Sequence, residues 1–197
     1  TLPAMGDIQD MIAEAADFAG ECDATYALMV PLDDSVYARE TQFKGWTIND
    51  VMQHLYMGDM RAHMTLTDPE AYARIKAKRQ AVVAATTAEQ LANQRADAGY
   101  LEGKALLDAW RASSAKTAAA YAEADPKQRV QWAGPDMSAR SSITARLMET
   151  WAHSQALYDA LGVERADGDR IRAIAHLGAI TYGWTFANRG EEPPGPP

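Results

Sequence analysis

Glu149 and His153 lie four residues apart in the stretch Arg146-Leu147-Met148-Glu149-Thr150-Trp151-Ala152-His153, whose surroundings read as helix. At about 100° per residue their side chains are offset by only ~40° and stack one turn apart. A carboxylate and an imidazole on one helical face are two ligands of a cation site, and a third must come from elsewhere. The chain has four histidines: His54, His63, His153 and His176. His54 and His63 are nine residues apart, so on one helix they point about 180° from each other and cannot share a core face. His54 sits among apolar residues, whereas His63 lies near Arg61 and a helix end. His54 is therefore the inward candidate.

His54, Glu149 and His153 together supply two imidazoles and one carboxylate. Three protein ligands with open positions are what a catalytic zinc site uses, whereas structural zinc sites are usually closed by four. The same set fits iron(II), nickel or manganese. A metal held there would lower the pKa of a bound water or thiol, or polarise a carbonyl. The blander alternatives are a core histidine satisfied by a hydrogen bond and a surface Glu–His pair worth about a few tenths of a kcal/mol. His176, on the last helix, is either a fourth group of the pocket or an ordinary helix histidine.

Other chemistries lack their residues. There is no His-Glu-x-x-His motif and no glycine-rich phosphate loop, and the Glu-x-x-His spacing of di-iron bundles is one residue shorter than the spacing here. The single cysteine, Cys22, excludes an internal disulfide and a cysteine-rich zinc site, and it falls on an apolar face as a small core hydrophobe.

The helix carrying His54 has a well-marked start. Thr47 is an N-cap with Asp50 three residues on, a capping box with Asp in place of Glu, and Trp46 and Val51 are spaced as a hydrophobic staple. A firm start fixes the rotational phase of Ile48, Val51, Met52, His54, Leu55 and Tyr56 behind it. The helix carrying Glu149 and His153 begins near Ser138 and stops at Gly162.

Three further segments read as helix. Apolar residues recur at spacings of three and four from about Asp7 to Met29, beginning with Ile8, Met11 and Ile12, until Pro31 and Asp33-Asp34 end the run. The same spacing returns from Tyr100 to Ala124, with Pro126 beyond it. A last helix opens at Asp167 or Asp169 and carries Ile171, Ile174, Leu177, Thr181 and Trp184. Residues 32–46 read as a loop. Thr67-Asp68-Pro69-Glu70 starts a charged peripheral helix reaching about Ala85, with a thin apolar stripe of Tyr72, Ile75 and Val82. Its Arg74, Lys76, Lys78 and Arg79 form a solvated face, and Thr86 to Glu89 can cap another short piece. Val130 to Pro135 reads as a loop with at most a short extended piece. No segment reads firmly as a strand and no repeat is present. The expectation is an all-α four-helix bundle with a long crossover and extra helices, residues 1–190, followed by a proline-rich linker or tail, 191–197.

A chain of 197 residues suits one domain with a substantial core. No run approaches the ~18 apolar residues of a membrane span, and no basic-then-apolar leader is present. With a lone cysteine, this points to the cytoplasm. The net charge of −8 argues against a nucleic-acid partner.

Gly45-Trp46-Thr47-Ile48-Asn49-Asp50-Val51-Met52-Gln53-His54-Leu55 resembles the Gly-Trp-Thr-x-x-Asp-Val-x-x-His-Leu segment of the mycothiol-dependent maleylpyruvate isomerase N-terminal domain family, one of the DinB-like bundles. Arg146 to His153, with Asp159 and Gly162, is similar to that family's Glu-x-Trp-x-His-type helix. With the order of helices, the resemblance covers most of residues 5–162. It implies a DinB-like four-helix bundle with a divalent metal, usually zinc, bound at the positions of His54, Glu149 and His153. It also implies a low-molecular-weight thiol as cofactor and an electrophilic small molecule as substrate, for S-transfer or cis–trans isomerisation. Many relatives carry a C-terminal domain that helps complete the active site, and the proline-rich segment stands where it would begin. The alternatives are a metal-binding sensor or interaction module without turnover, and a metal-free helical protein. A homodimer paired through a helix face is a further expectation.

Overall fold

In the computed structural model, residues 12–81 and 86–197 are described. The expected helix start at Asp7, with Ile8 and Met11, lies outside them, as does Val82. The chain forms α1 (Ala13–Met29), α2 (Ile48–Thr67), α3 (Pro69–Ala81), α4 (Thr87–Asp97), α5 (Gly103–Ala122), α6 (Ala139–Leu161) and α7 (Ile171–Arg189). The fold is all-α with helices beyond a simple four-helix bundle, as the periodicity predicts.

The bundle consists of α1, α2, α5 and α6. Helix α2 packs between α5 and α6, and α1 packs between the same two on the opposite side. Helices α3 and α4 form the crossover from α2 to α5, and α7 lies against α6. The core runs along the axis through Phe18, Cys22, Met52, Leu55, Leu106, Trp110, Tyr121, Ile143 and Leu147, all buried. Cys22 is fully enclosed, and burial pushes its thiol well above the usual range, so it is a packing residue.

The helix ends follow the sequence signals except at α7, whose N-cap is Arg170 with no side-chain cap rather than Asp167 or Asp169. Thr47 accepts from the Asp50 backbone N–H, and Asp50 accepts from the Thr47 N–H, which completes the capping box of α2. Thr86 and Glu89 make the same box on α4. Ser138 caps α6, and Gly162 ends it in the left-handed conformation at φ +67°.

Two local features differ from the expectation, and a third, the short extended piece near Val130, takes the form of a strand pair. Helix α5 starts at Gly103 rather than Tyr100, because Gly99 and Tyr100 have positive φ and no helix runs through them. The 32–46 loop contains a 3-10 helix, Asp34–Ala38. A two-residue antiparallel pair joins β1 (Arg129–Val130) to β2 (Met137–Ser138), with Arg129 opposite Ser138 and Val130 opposite Met137. Such a pair is too short to leave an alternating pattern in the sequence. Residues 191–197 carry neither helix nor strand. No helix among the described residues is long and apolar enough to cross a membrane.

Candidate metal centre

Helices α2 and α6 are neighbours in the bundle, and the capping box places His54 on the α2 face that looks toward α6. The Nε2 atoms of His54 and His153 both lie 3.2 Å from one oxygen, Oε2 of Glu149. With one ligand atom taken from each residue, the three atoms lie within 4.8 Å of one another. The imidazole centroids are 4.3 Å apart with the rings tilted by 56°. Three residues from two helices converge as a cluster able to coordinate a metal ion.

The site sits at the edge of the core. The side chains of His54 and Glu149 are 31% and 30% exposed and that of His153 17%, so a small molecule can reach them from one side. Burial pulls the His54 imidazole below its usual range, and the neighbouring His153 and Arg146 act in the same direction. Its hydrogen bond to Glu149 works against this without reversing it. Glu149 moves further: hydrogen bonds from His153 and then His54 hold its carboxyl far below the ordinary carboxylate range, against the opposing effect of burial. A neutral imidazole beside a fixed carboxylate is the protonation state that metal ligation requires.

The other histidines take no part. His63 faces away on α2, where its Nδ1 meets the Thr67 hydroxyl at 3.3 Å. His176 is exposed on α7 and is not a member of the cluster. Of the two readings of His176, that of an ordinary helix histidine fits; α7 leans on α6 with no fully buried residue.

A roof of two aromatic rings was not legible in the sequence. Trp46, spaced as a staple for Val51, lies parallel to His153, with 6° between planes and 6.3 Å between centroids, and its centroid is 5.6 Å from that of His54. Phe43 meets His153 edge to face at 5.1 Å and Trp46 in the same manner at 5.1 Å. The loop that carries both rings closes on itself. Thr41 donates its hydroxyl to the Trp46 carbonyl at 2.8 Å, Thr41 N–H reaches the same carbonyl at 2.7 Å, and the turn between them passes through Lys44 and Gly45 at positive φ. Gly45 has φ +70°, a conformation that disfavours a side chain. The only sequence signal for the roof is the density of aromatic and glycine residues at Phe43 to Trp46.

Comparisons with known proteins agree with the all-α fold. The model of the family described as "Mycothiol maleylpyruvate isomerase N-terminal domain" matches residues 18–158. Two proteins of Mycobacterium tuberculosis, from strains CDC 1551 / Oshkosh and ATCC 25618 / H37Rv and both described as uncharacterized, are each 34% identical over 182 residues. That alignment spans 92% of this chain and 69% of theirs. Among solved structures, mycothiol-dependent maleylpyruvate isomerase superposes with a TM-score of 0.65 at 16% identity, covering 90% of this chain and 71% of the other. A mutant of that enzyme gives the same TM-score at 15% identity. At such identity the superposition speaks for the fold.

Proposed function

The chain belongs to the mycothiol maleylpyruvate isomerase N-terminal domain family, and from that premise we propose that it is a metal-dependent enzyme of thiol chemistry. His54, Glu149 and His153 hold one divalent cation, zinc first among the candidates. A low-molecular-weight thiol of the mycothiol kind, having lost its proton, would add its sulfur to an electrophilic carbon. In S-transfer the displaced group leaves, and in cis–trans isomerisation of a substrate of the maleylpyruvate kind the new C–S bond breaks again after rotation and returns the thiol. The observation that carries this reading is the convergence of three ligand atoms within 4.8 Å at a partly exposed position.

The donor set fits the group. Two imidazole nitrogens and a carboxylate oxygen match borderline cations such as zinc, and fewer than four protein ligands leave room for a sulfur or oxygen from outside. A divalent cation there supplies Lewis acidity, which lowers the pKa of a thiol or polarises a carbonyl. The protein supplies the rest. Glu149 gives negative charge close to both imidazoles and, with its depressed pKa, stays ionised across the working pH range. Trp46 and Phe43 cover His153 and fix its ring plane. Their apolar faces keep water from that side of the site and confine approach to the open one. The chain's acidic balance leaves a small molecule, not a nucleic acid, as the partner.

The test is turnover of zinc-loaded protein with a low-molecular-weight thiol and a cis-configured unsaturated keto acid, followed by thiol consumption and by the cis-to-trans change in absorbance. Metal-dependent loss of thiol or of the cis isomer supports the reading. A protein that binds zinc at one equivalent yet turns over none of the thiol–electrophile pairs is a metal-binding module without catalysis.

A further inference from the structure

One turn from the ligands, α2 and α6 are joined by a buried ion pair that the metal site itself does not use. The Arg146 guanidinium, 3% exposed, donates from Nε and Nη2 to Asp59 Oδ1 at 3.0 and 2.9 Å. Nη2 also reaches the carbonyl of Leu55, the residue after His54, at 3.4 Å. The second oxygen of Asp59 accepts from Trp110 Nε1 of α5 at 2.9 Å, and the Asp59 carbonyl accepts from the Thr117 hydroxyl at 3.0 Å. Asp59 is fully enclosed. Gly58, next to Asp59 in the chain, faces the Arg146 guanidinium. A Cβ on it would stand 2.5 Å from Arg146 Nη1 and 2.6 Å from Cζ and Nη2, so only a residue without a side chain lets the guanidinium lie against the α2 backbone.

The positions are matched to the site. Arg146 precedes Glu149 by three residues and His153 by seven, so all three fall on one side of α6 within two turns. On α2 the clamp grips Leu55, Gly58 and Asp59, within five residues of His54. A one-residue slip between the helices would break every bond of the clamp and would carry Glu149 away from His54.

We infer that Gly58, Asp59 and Arg146 form a register clamp between α2 and α6 that positions Glu149 between His54 and His153 and thereby sets metal affinity and ligand geometry. The inference rests on the metal reading of the preceding section. These are positioning residues, and they touch neither metal nor substrate. A buried pair of this kind is a poor source of stability, since replacing both charges with groups of similar volume is often neutral. Its value lies in the alignment it enforces. Outer-shell partners of metal ligands typically account for about 10- to 100-fold in affinity.

The experiment titrates cobalt(II) into metal-free protein and reads both the dissociation constant and the visible ligand-field spectrum. The variants are Gly58→Ala and the double replacement D59N/R146M. The latter keeps an acceptor for Trp110 and leaves no unpaired buried charge. Tyr121→Phe is the control, because its hydroxyl bridges Thr65 and Ser142 between the same two helices further from the site. Thermal unfolding places all variants on one stability scale. The clamp predicts cobalt affinity weakened by about 10- to 100-fold and an altered spectrum in G58A and in D59N/R146M. Y121F should keep the wild-type values even where it unfolds earlier. Wild-type affinity and spectrum in both clamp variants overturns the inference, as does an equal loss in Y121F at matched stability. Wild-type protein that takes up no cobalt at all overturns the metal reading and the clamp with it, whereas cobalt binding that ignores the clamp overturns the clamp alone.

Discussion

Trp46 lies parallel to His153, the indole and imidazole planes differing by 6° at a centroid distance of 6.3 Å. The tryptophan comes from the residue before the α2 cap and the histidine from the middle of α6, so a local start signal and a distant ligand meet in one stack. A paramagnetic cation at the cluster would lie close enough to quench that indole. Among the five tryptophans, Trp46 should account for the largest share of fluorescence lost on cobalt(II) or copper(II) addition. Trp46→Phe should retain a ring over the site and bind metal, yet lose most of the quenching. An undiminished quench in W46F would place the cation elsewhere.

Protons should compete with the metal in a direction fixed by the site. Burial holds the His54 imidazole below its usual pKa of about 6.5, so it is neutral at pH 7. Metal affinity, followed by competition with a chromogenic chelator, should be level near neutrality and fall on acidification once the His54 imidazole takes up a proton. Affinity that rose on acidification would contradict the assignment of imidazole ligands.

Glu149 makes a separate prediction for the metal-free protein. Its carboxyl is depressed in the folded state by hydrogen bonds from His153 and His54. A depressed acid contributes stability that is present above its unfolded pKa, about 4.3, and is lost as pH falls through the folded value. Urea midpoints measured from pH 6 down to pH 3 should therefore drop more steeply in wild type than in Glu149→Gln. Parallel curves would mean that the two imidazoles do not hold the carboxylate.

The parts legible in the sequence are those written locally. The Thr47–Asp50 box, the Ser138 cap, the Gly162 stop and the four-residue step from Glu149 to His153 are all patterns within one turn or two, and the structure has each of them. His54 was readable because a firm cap fixes the phase of everything after it. The Phe43–Trp46 roof was not, since its closure depends on Thr41 and on a positive-φ turn at Lys44 and Gly45. The Asp59–Arg146 pair was equally hidden. Asp59 looks like any polar residue on a helix, and only the packing of three helices shows that its partners are Arg146 and Trp110.

The cap that phases His54 can be weighed on its own. Asp50 is buried, which alone would raise its carboxyl, but hydrogen bonds from Arg95 at 2.8 and 3.0 Å and from Thr47 outweigh this and leave it below the usual range. Thr47→Ala should cost about 1 kcal/mol in chemical denaturation. A loss within error would mean that the Asp50–Arg95 pair holds the helix start unaided.

Trp110 is asked to do more than fill the core. Its indole N–H is a hydrogen-bond partner of the second Asp59 oxygen, so Trp110→Phe leaves a buried carboxylate oxygen without that donor. The expected destabilisation is about 1–3 kcal/mol beyond the lost volume. A neutral outcome by urea denaturation would show that water replaces the indole.

The most direct test of the central claim is the metal content of three proteins. Wild type, His54→Ala and His153→Ala are each equilibrated with zinc, freed of excess by gel filtration and analysed for bound metal. With folding verified by circular dichroism, the convergence of His54, Glu149 and His153 predicts about one zinc per chain in wild type and close to none in either variant. Full zinc occupancy in both variants would contradict the site, and a wild-type ratio near zero would contradict metal binding altogether.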